Sequence, residues 1–287
     1  GPEATLSKNI LLNTTTANIF MNASGAGPLT YNGTFLNSVN GAHTLVLGGI
    51  NTDDNTIASV IPINTTPASV TSLQKIGVGT WVLAPTASNT FTGTTTISNG
   101  TLKLIDGAGI DLLPDPGAIR FDVESFSQSA GGSLIYNGGS NSEAVGALTS
   151  IAGQGNITAS SGTLTFGSLA ARTAGGTLNI ANSGTVNITG SAGFLNAGAY
   201  FSGSDFAFSG AGATLRAPNY GTDSGFVEAA AGVATLTAGS HNQVTGSITA
   251  QGTVAINSLK ISGANNLTLA SGQTLTVGVG AAAAGAG

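Results

Sequence analysis

A five-residue pattern, Gly-Thr-Φ-x-Φ with Φ apolar, recurs along the 287-residue chain and limits its fold more than any other feature. It reads GTWVL from Gly79, GTLKL from Gly100, GTLTF from Gly162, GTLNI from Gly176, GTVNI from Gly184 and GTVAI from Gly252, with a relative, GQTLTV, from Gly272. Within each copy the two Φ positions fall two residues apart, which is the period of a β-strand. With the Gly176 copy set aside, every interval between successive copies falls near one or three times a common length of roughly 21 to 23 residues. A unit of about 21 residues holds three short strands and three turns, one rung of a parallel β-helix whose strands pair with their equivalents about 4.8 Å away. The expected fold is therefore all-β, a parallel β-helix of roughly 13 rungs and about 60 Å in length. An antiparallel sandwich also alternates, but its uneven loops give no reason to repeat one glycine-led strand at one interval.

Composition agrees with such a coil. Only 7% of residues are charged, against roughly 25% in ordinary domains, while 41% are hydrophobic, too many for the chain to stay unfolded. The 44 glycines suit turns that need positive φ or close backbone approach. From Ala229 to Gly287 the single formal charge is Lys260. A net charge of −5 without a basic patch argues against nucleic acid as a partner. The absence of cysteine excludes disulfides and thiol chemistry.

Residues 3–277 read as one β-helix. Gly1 and Pro2 are what several tag-removing proteases leave behind, and the natural chain is expected to continue upstream. Residues 278–287 (GVGAAAAGAG) form a low-complexity tail expected to lead into more protein. The first residues lack the basic start and apolar stretch of a signal peptide. No run reaches eighteen apolar residues, so no transmembrane helix is expected in this chain.

The residues from Gly77 to Leu104 carry a longer motif. Gly77-Val78-Gly79-Thr80-Trp81-Val82-Leu83, then Asn89-Thr90-Phe91-Thr92-Gly93-Thr94-Thr95-Thr96-Ile97, then Gly100-Thr101-Leu102-Lys103-Leu104 closely resemble the autotransporter-associated β-strand repeat. Phe91 stands where that repeat usually has Tyr, and Trp81 where it usually has Leu. The stretches 146–166 and 219–225, and the chain from Gly246 onward, resemble spacer regions that accompany the repeat in very large bacterial surface proteins. The resemblance implies a right-handed parallel β-helix exported across the outer membrane and displayed at the cell surface. It also implies a stalk or scaffold role beside neighbouring modules of the same long chain. It concerns the passenger; the family's translocator, a membrane β-barrel, has no counterpart in these residues.

Sites for chemistry are sparse. His43 and His241 stand far apart in Gly-, Ser- and Asn-rich settings and read as solvated turn residues, and no nucleotide-binding or nucleophile-elbow motif occurs. Asp106, Asp111, Asp115, Asp122 and Glu124 gather five of the twelve acids into one short segment, together with Arg120. Converging carboxylates there, with Asp111, Asp115 and Asp122 as the candidates, would bind Ca²⁺ or supply the acid and base of a polysaccharide hydrolase. Neither calcium-loop pattern is met, and the plainer reading is turn residues supplying surface charge, with Asp115-Pro116 as a tight bend. No cofactor is otherwise expected.

Phe194, Tyr200, Phe201, Phe206, Phe208, Tyr220 and Phe226 concentrate seven of the sixteen aromatic residues between positions 194 and 226. No pentapeptide copy occurs between Gly184 and Gly252, so an aromatic-rich excursion from the coil is expected around 190–230. Buried, these rings would fill the coil or pin the excursion against it. Exposed, Tyr200, Phe206, Phe208 and Tyr220 would form a contact platform for surface glycans or cells. The functional expectation is a non-enzymatic structural segment of a secreted or cell-surface protein. The alternatives are an adhesive or glycan-binding module on the aromatic region and, more remotely, a polysaccharide-active β-helix enzyme.

Overall fold

The computed structural model describes residues 1–12, 18–37, 41–63, 70–123, 131–230 and 235–278. Glu124 of the acidic segment and residues 279–287 of the tail lie outside the described residues. The described residues are all-β, with essentially no helix among them, and wind as a parallel β-solenoid of about 11 turns roughly 23 residues apart.

Three ladders of strands run along the first coils. One starts with Ala4–Leu6, Leu29–Tyr31, Asp54–Ile57, Thr80–Leu83 and Asn99–Ile105. It continues through the long strands Gly131–Ser150 and Gly153–Leu169, then Gly176–Asn182 and Ala199–Phe201, every pairing parallel. A second ladder joins Ile10–Leu12 to Phe35–Asn37 and reappears where the 153–169 strand pairs with Thr185–Ile188. The third runs through Asn18–Asn22, His43–Gly48, Thr71–Lys75, Thr95–Ile97 and Ile119–Phe121. The two long strands stay extended around the corners and so serve more than one ladder.

Register places like on like. Trp81, Leu102, Leu134, Ile157 and Ile180 are successive partners in the first ladder, and all five are fully buried. The period-two pattern turns one set of side chains inward, and parallel stacking lines the interior from Trp81 to Ile180 with an apolar column.

The coil is less regular than the pentapeptide spacing implies. Thr80 pairs with Thr101, as that spacing requires, but Ala4 pairs with Leu29, His43 with Thr71 and Thr101 with Ser133, each a longer step along the chain. The strands thus recur in register from coil to coil at uneven intervals along the chain. The pentapeptide copies also divide between ladders. The Gly176 copy lies in the same ladder as those of Gly79 and Gly100, offset by two residues in register, whereas the Gly162 and Gly184 copies pair with each other in the second ladder. The long gap from Gly100 to Gly162 therefore changes side as well as coil.

Both histidines are buried in strands, His43 in His43–Gly48 and His241 in His241–Val244, which corrects their reading as solvated turn residues. Their small polar neighbours mark corners and outward positions, while strand parity turns the rings inward. His43 Nε2 lies 3.1 Å from Thr71 Oγ1 on the next coil.

Candidate functional site

After Thr185–Ile188 the winding is interrupted. Gly193–Phe194, Phe208–Ser209 and Leu215–Arg216 form a small antiparallel sheet, and Ala199–Phe201 folds back on Asp205–Phe206. This is the excursion expected near 190–230. Parallel winding resumes at Phe226–Ala229, which pairs with His241–Val244, itself paired with Ser258–Ile261. These coils are tighter. Phe226 lies opposite His241 and His241 opposite Ser258, both shorter steps along the chain than Thr80 to Thr101.

Aromatic rings join the excursion to the resumed coil. Phe226 stacks on His241 at 4.6 Å, and Phe194 and Phe206 lie 4.5 and 5.3 Å from the same imidazole. Phe208 meets Phe226 edge-on at 5.7 Å and carries the Arg216 guanidinium over its face at 4.6 Å. Arg216 is fixed in turn by a two-pronged pair with Asp223, at 2.6 and 2.8 Å. Burial among the rings lowers the His241 pKa, and its Nδ1 lies 2.8 Å from Ser258 Oγ.

The structure separates the four candidate binding rings. Phe208 is buried, packed within the junction. Tyr200 is 37% exposed, while Phe206 and Tyr220 are half-buried. These three line a groove of about 240 Å³ together with Asp205, Ser258 and Lys260. Asp205 is the polar centre: Tyr220 donates its hydroxyl to Oδ1 at 3.0 Å, and Lys260 pairs with Oδ2. The Tyr220 hydroxyl is pushed to a higher pKa by burial and by the Asp205 carboxylate, which keeps it a donor. Lys260 also sits 5.4 Å over the Tyr220 ring. Sequence reasoning picked out Tyr200, Phe206 and Tyr220 by their clustering. It missed Asp205, Ser258 and Lys260, whose convergence depends on contacts between segments distant in the chain.

Among the described residues the acidic segment does not converge. Asp106 is buried, and its carboxylate accepts the N–H groups of Ala108, Gly109 and Ile110 at 3.1, 2.6 and 3.1 Å, closing a turn. Asp111 and Asp115 are exposed, and Asp122 pairs with Arg120. Among the described residues no three His, Cys, Asp or Glu side chains gather as a metal site.

A carboxylate outside that segment is the unusual one. Glu143 is 2% exposed and accepts the N–H groups of Leu113 at 2.7 Å and Leu112 at 3.2 Å. Its register partner is Leu164, which pairs with Val186, so the acid occupies an inward position of the second ladder. Residues 112 and 113 are not in a strand, and the carboxylate takes donors that a ladder would otherwise satisfy. Burial raises its pKa, opposed by the two N–H groups and aided by Asp111 and Asp106, to about 8. The signal was present in the sequence, because Glu143 shares its parity with Val145.

Comparison with known proteins agrees with the architecture. The passenger-associated-transport-repeat matches residues 73–104, and its apolar positions Trp81, Leu83, Phe91, Ile97, Leu102 and Leu104 are all buried in the solenoid. The chain is 42% identical over 91 residues to the adhesin BmaC autotransporter of Brucella suis biovar 1 (strain 1330), an overlap of 31% of this chain and 2% of that protein. This chain therefore spans only a small fraction of that relative's length. No solved structure matches the chain. The chain thus carries an autotransporter passenger-type repeat at residues 73–104, laid down as coils of a parallel β-solenoid, and the repeat and the adhesin relative together indicate a surface-exposed, outer-membrane-exported protein.

Proposed function

We propose that this passenger-type segment is a stalk or scaffold: a stiff, non-enzymatic rod that holds neighbouring modules of a long surface chain away from the membrane. The observation that carries the reading is the unbroken first ladder from Ala4–Leu6 to Ala199–Phe201, with its buried, largely apolar interior. Each coil is held by its neighbours, so length can grow by adding coils without a new core. The charged groups of the acidic segment support the same reading, since Asp106 closes a turn and Asp122 is paired with Arg120. The name of the Brucella relative supports a role in a protein that attaches to surfaces, with this part as its mount.

Small-angle scattering on the monomer tests the proposal. A rod gives a pair-distance distribution with an early maximum and a long tail. A symmetric, compact distribution would rule the stalk out.

A further inference from the structure

We propose that the groove between the folded-back ribbon at Ala199–Phe201 and Asp205–Phe206 and the strand Ser258–Ile261 binds one ring of a neutral glycan. Two features of the groove select that ligand.

Shape is the first. Tyr200 is more than one-third exposed, and its ring lies nearly parallel to Phe206, with a centroid separation of 5.9 Å and an interplanar angle of 19°. The stack fixes the orientation of a partly open aromatic surface before any ligand arrives, so little ordering cost remains on binding. A pyranose has one face made largely of C–H groups and a rim of hydroxyls. Such a face lies flat on an aromatic ring, while the rim needs hydrogen-bonding groups around it. Ser204, Ser258 and the Lys260 ammonium line the same groove. At about 240 Å³ the groove is smaller than the ~300–1,000 Å³ of drug-sized pockets, which suits a single ring rather than a peptide or lipid.

Charge is the second. Lys260 and Asp205 pair with each other, and the Asp205 side chain is only 7% exposed. An anionic ligand would have to draw Lys260 away and leave a nearly buried carboxylate without its cation, and a cationic one would meet the ammonium. A neutral ligand can accept from Lys260 while the pair stays closed. The site thus favours a neutral sugar over a uronate or a sialylated glycan. It stands apart from the stalk role, which needs no ligand.

The test uses the whole chain with cellotriose, maltotriose and chitotriose as neutral probes, and sialyllactose and a galacturonic acid trimer as anionic ones. Saturation-transfer NMR with each sugar, and amide shifts in the labelled protein, read binding at concentrations up to about 10 mM. Expected is saturation transfer to the ring protons of at least one neutral sugar, with amide shifts confined to residues near Tyr200, Ser204, Tyr220 and Lys260. Tyr200→Ala should weaken that binding at least tenfold. Phe20→Ala, which removes a ring 57% exposed on a distant coil, should leave it unchanged. The proposal is overturned if no neutral probe binds, if amide shifts in the wild-type chain fall elsewhere, or if Tyr200→Ala binds as well as wild type. Tighter, salt-sensitive binding of an anionic probe overturns it too. Because the shift map is read on the wild-type chain, it tests the groove even if a variant misfolds.

Discussion

The carboxyl group of Glu143 accepts the backbone N–H of Leu113 at 2.7 Å, across 30 residues of chain and from one coil of the solenoid to the next. An acid thus stands in the interior column at a level where the preceding coil has no strand to pair.

This position makes Glu143 a source of pH-dependent stability. Its folded pKa of about 8 lies above the ordinary 4.5, so the native state holds the proton more tightly than the unfolded one. Its contribution is complete below about pH 4.5 and is lost as pH rises towards 8. By pH 7 the loss amounts to roughly 3 kcal/mol at most. Glu143→Gln keeps the volume, removes the charge and still offers an oxygen to Leu113. Urea unfolding between pH 5 and 8 should show a falling midpoint for wild type and a flatter one for the variant, with the variant more stable at pH 7. Parallel profiles for the two proteins would refute this.

Lys75 and Gly100 meet at one corner of the coil. Lys75 is fully buried, in register between Leu47 and Ile97, and its Nζ donates to the carbonyls of Ile76, Gly77 and Asn99 at 2.6, 2.7 and 3.1 Å. Gly100 has φ +65°, and a Cβ there would come within 2.4 Å of the Gly77 and Gly79 carbonyl oxygens and 2.6 Å of Lys75 Nζ. Gly100→Ala should therefore destabilise by more than the ~1–2 kcal/mol of left-handed backbone alone. Lys75→Met leaves the chain length but strips three carbonyls of a donor, at about 1–3 kcal/mol. Denaturant midpoints check both, and a loss below about 0.5 kcal/mol in either would contradict the packing described.

What the sequence made legible was the inward face. The two-residue spacing of the Φ positions in GTWVL and GTLKL puts Trp81, Leu83, Leu102 and Leu104 inside, where the structure has them. The coil length was only approximate, because spacing along the chain records both the coil and the side of the coil, and the gap from Gly100 to Gly162 mixes the two. The buried polar groups were less visible. Lys75, Glu143 and His241 each look like surface residues by type, yet each fills an inward position because a neighbouring segment offers the matching carbonyl, N–H or ring. Half of the groove was hidden for a similar reason. Asp205 and Lys260 are 55 residues apart, and only the excursion and the resumed winding bring them together.

Trp81 is the single tryptophan, fully buried, with its indole N–H donating to the Gly48 carbonyl at 2.8 Å. It stands where the repeat usually has leucine, so this chain has a larger ring with a polar tip in the column. Its fluorescence should be blue-shifted and shielded from acrylamide in the folded state, moving to the red on unfolding. Trp81→Leu restores the usual residue but opens a cavity and leaves the Gly48 carbonyl without its indole donor, so it should cost about 2–3 kcal/mol. A neutral effect on the midpoint would mean that the column repacks freely at this level.

The aromatic junction should respond to acid separately from the rest of the solenoid. Burial lowers the His241 pKa, so the folded state favours the neutral imidazole, and the unfolded chain takes up the proton first. The stability this confers is present above pH 6.5 and drains away as pH falls through that value towards the lower folded pKa. Protonation would set a cation among Phe194, Phe206 and Phe226, where the Ser258 hydroxyl is the polar contact of the ring. Hydrogen exchange, corrected for its intrinsic pH dependence, should then show protection falling between pH 7 and 5 in Phe226–Ala229 and Ser258–Ile261. The strand Asn99–Ile105, far along the chain from any histidine, should hold its protection over the same range. His241→Gln should abolish the difference between the two regions, since glutamine fills the site without titrating. Equal loss along the whole solenoid, or a wild-type pattern in the variant, would place the acid sensitivity elsewhere than in this imidazole.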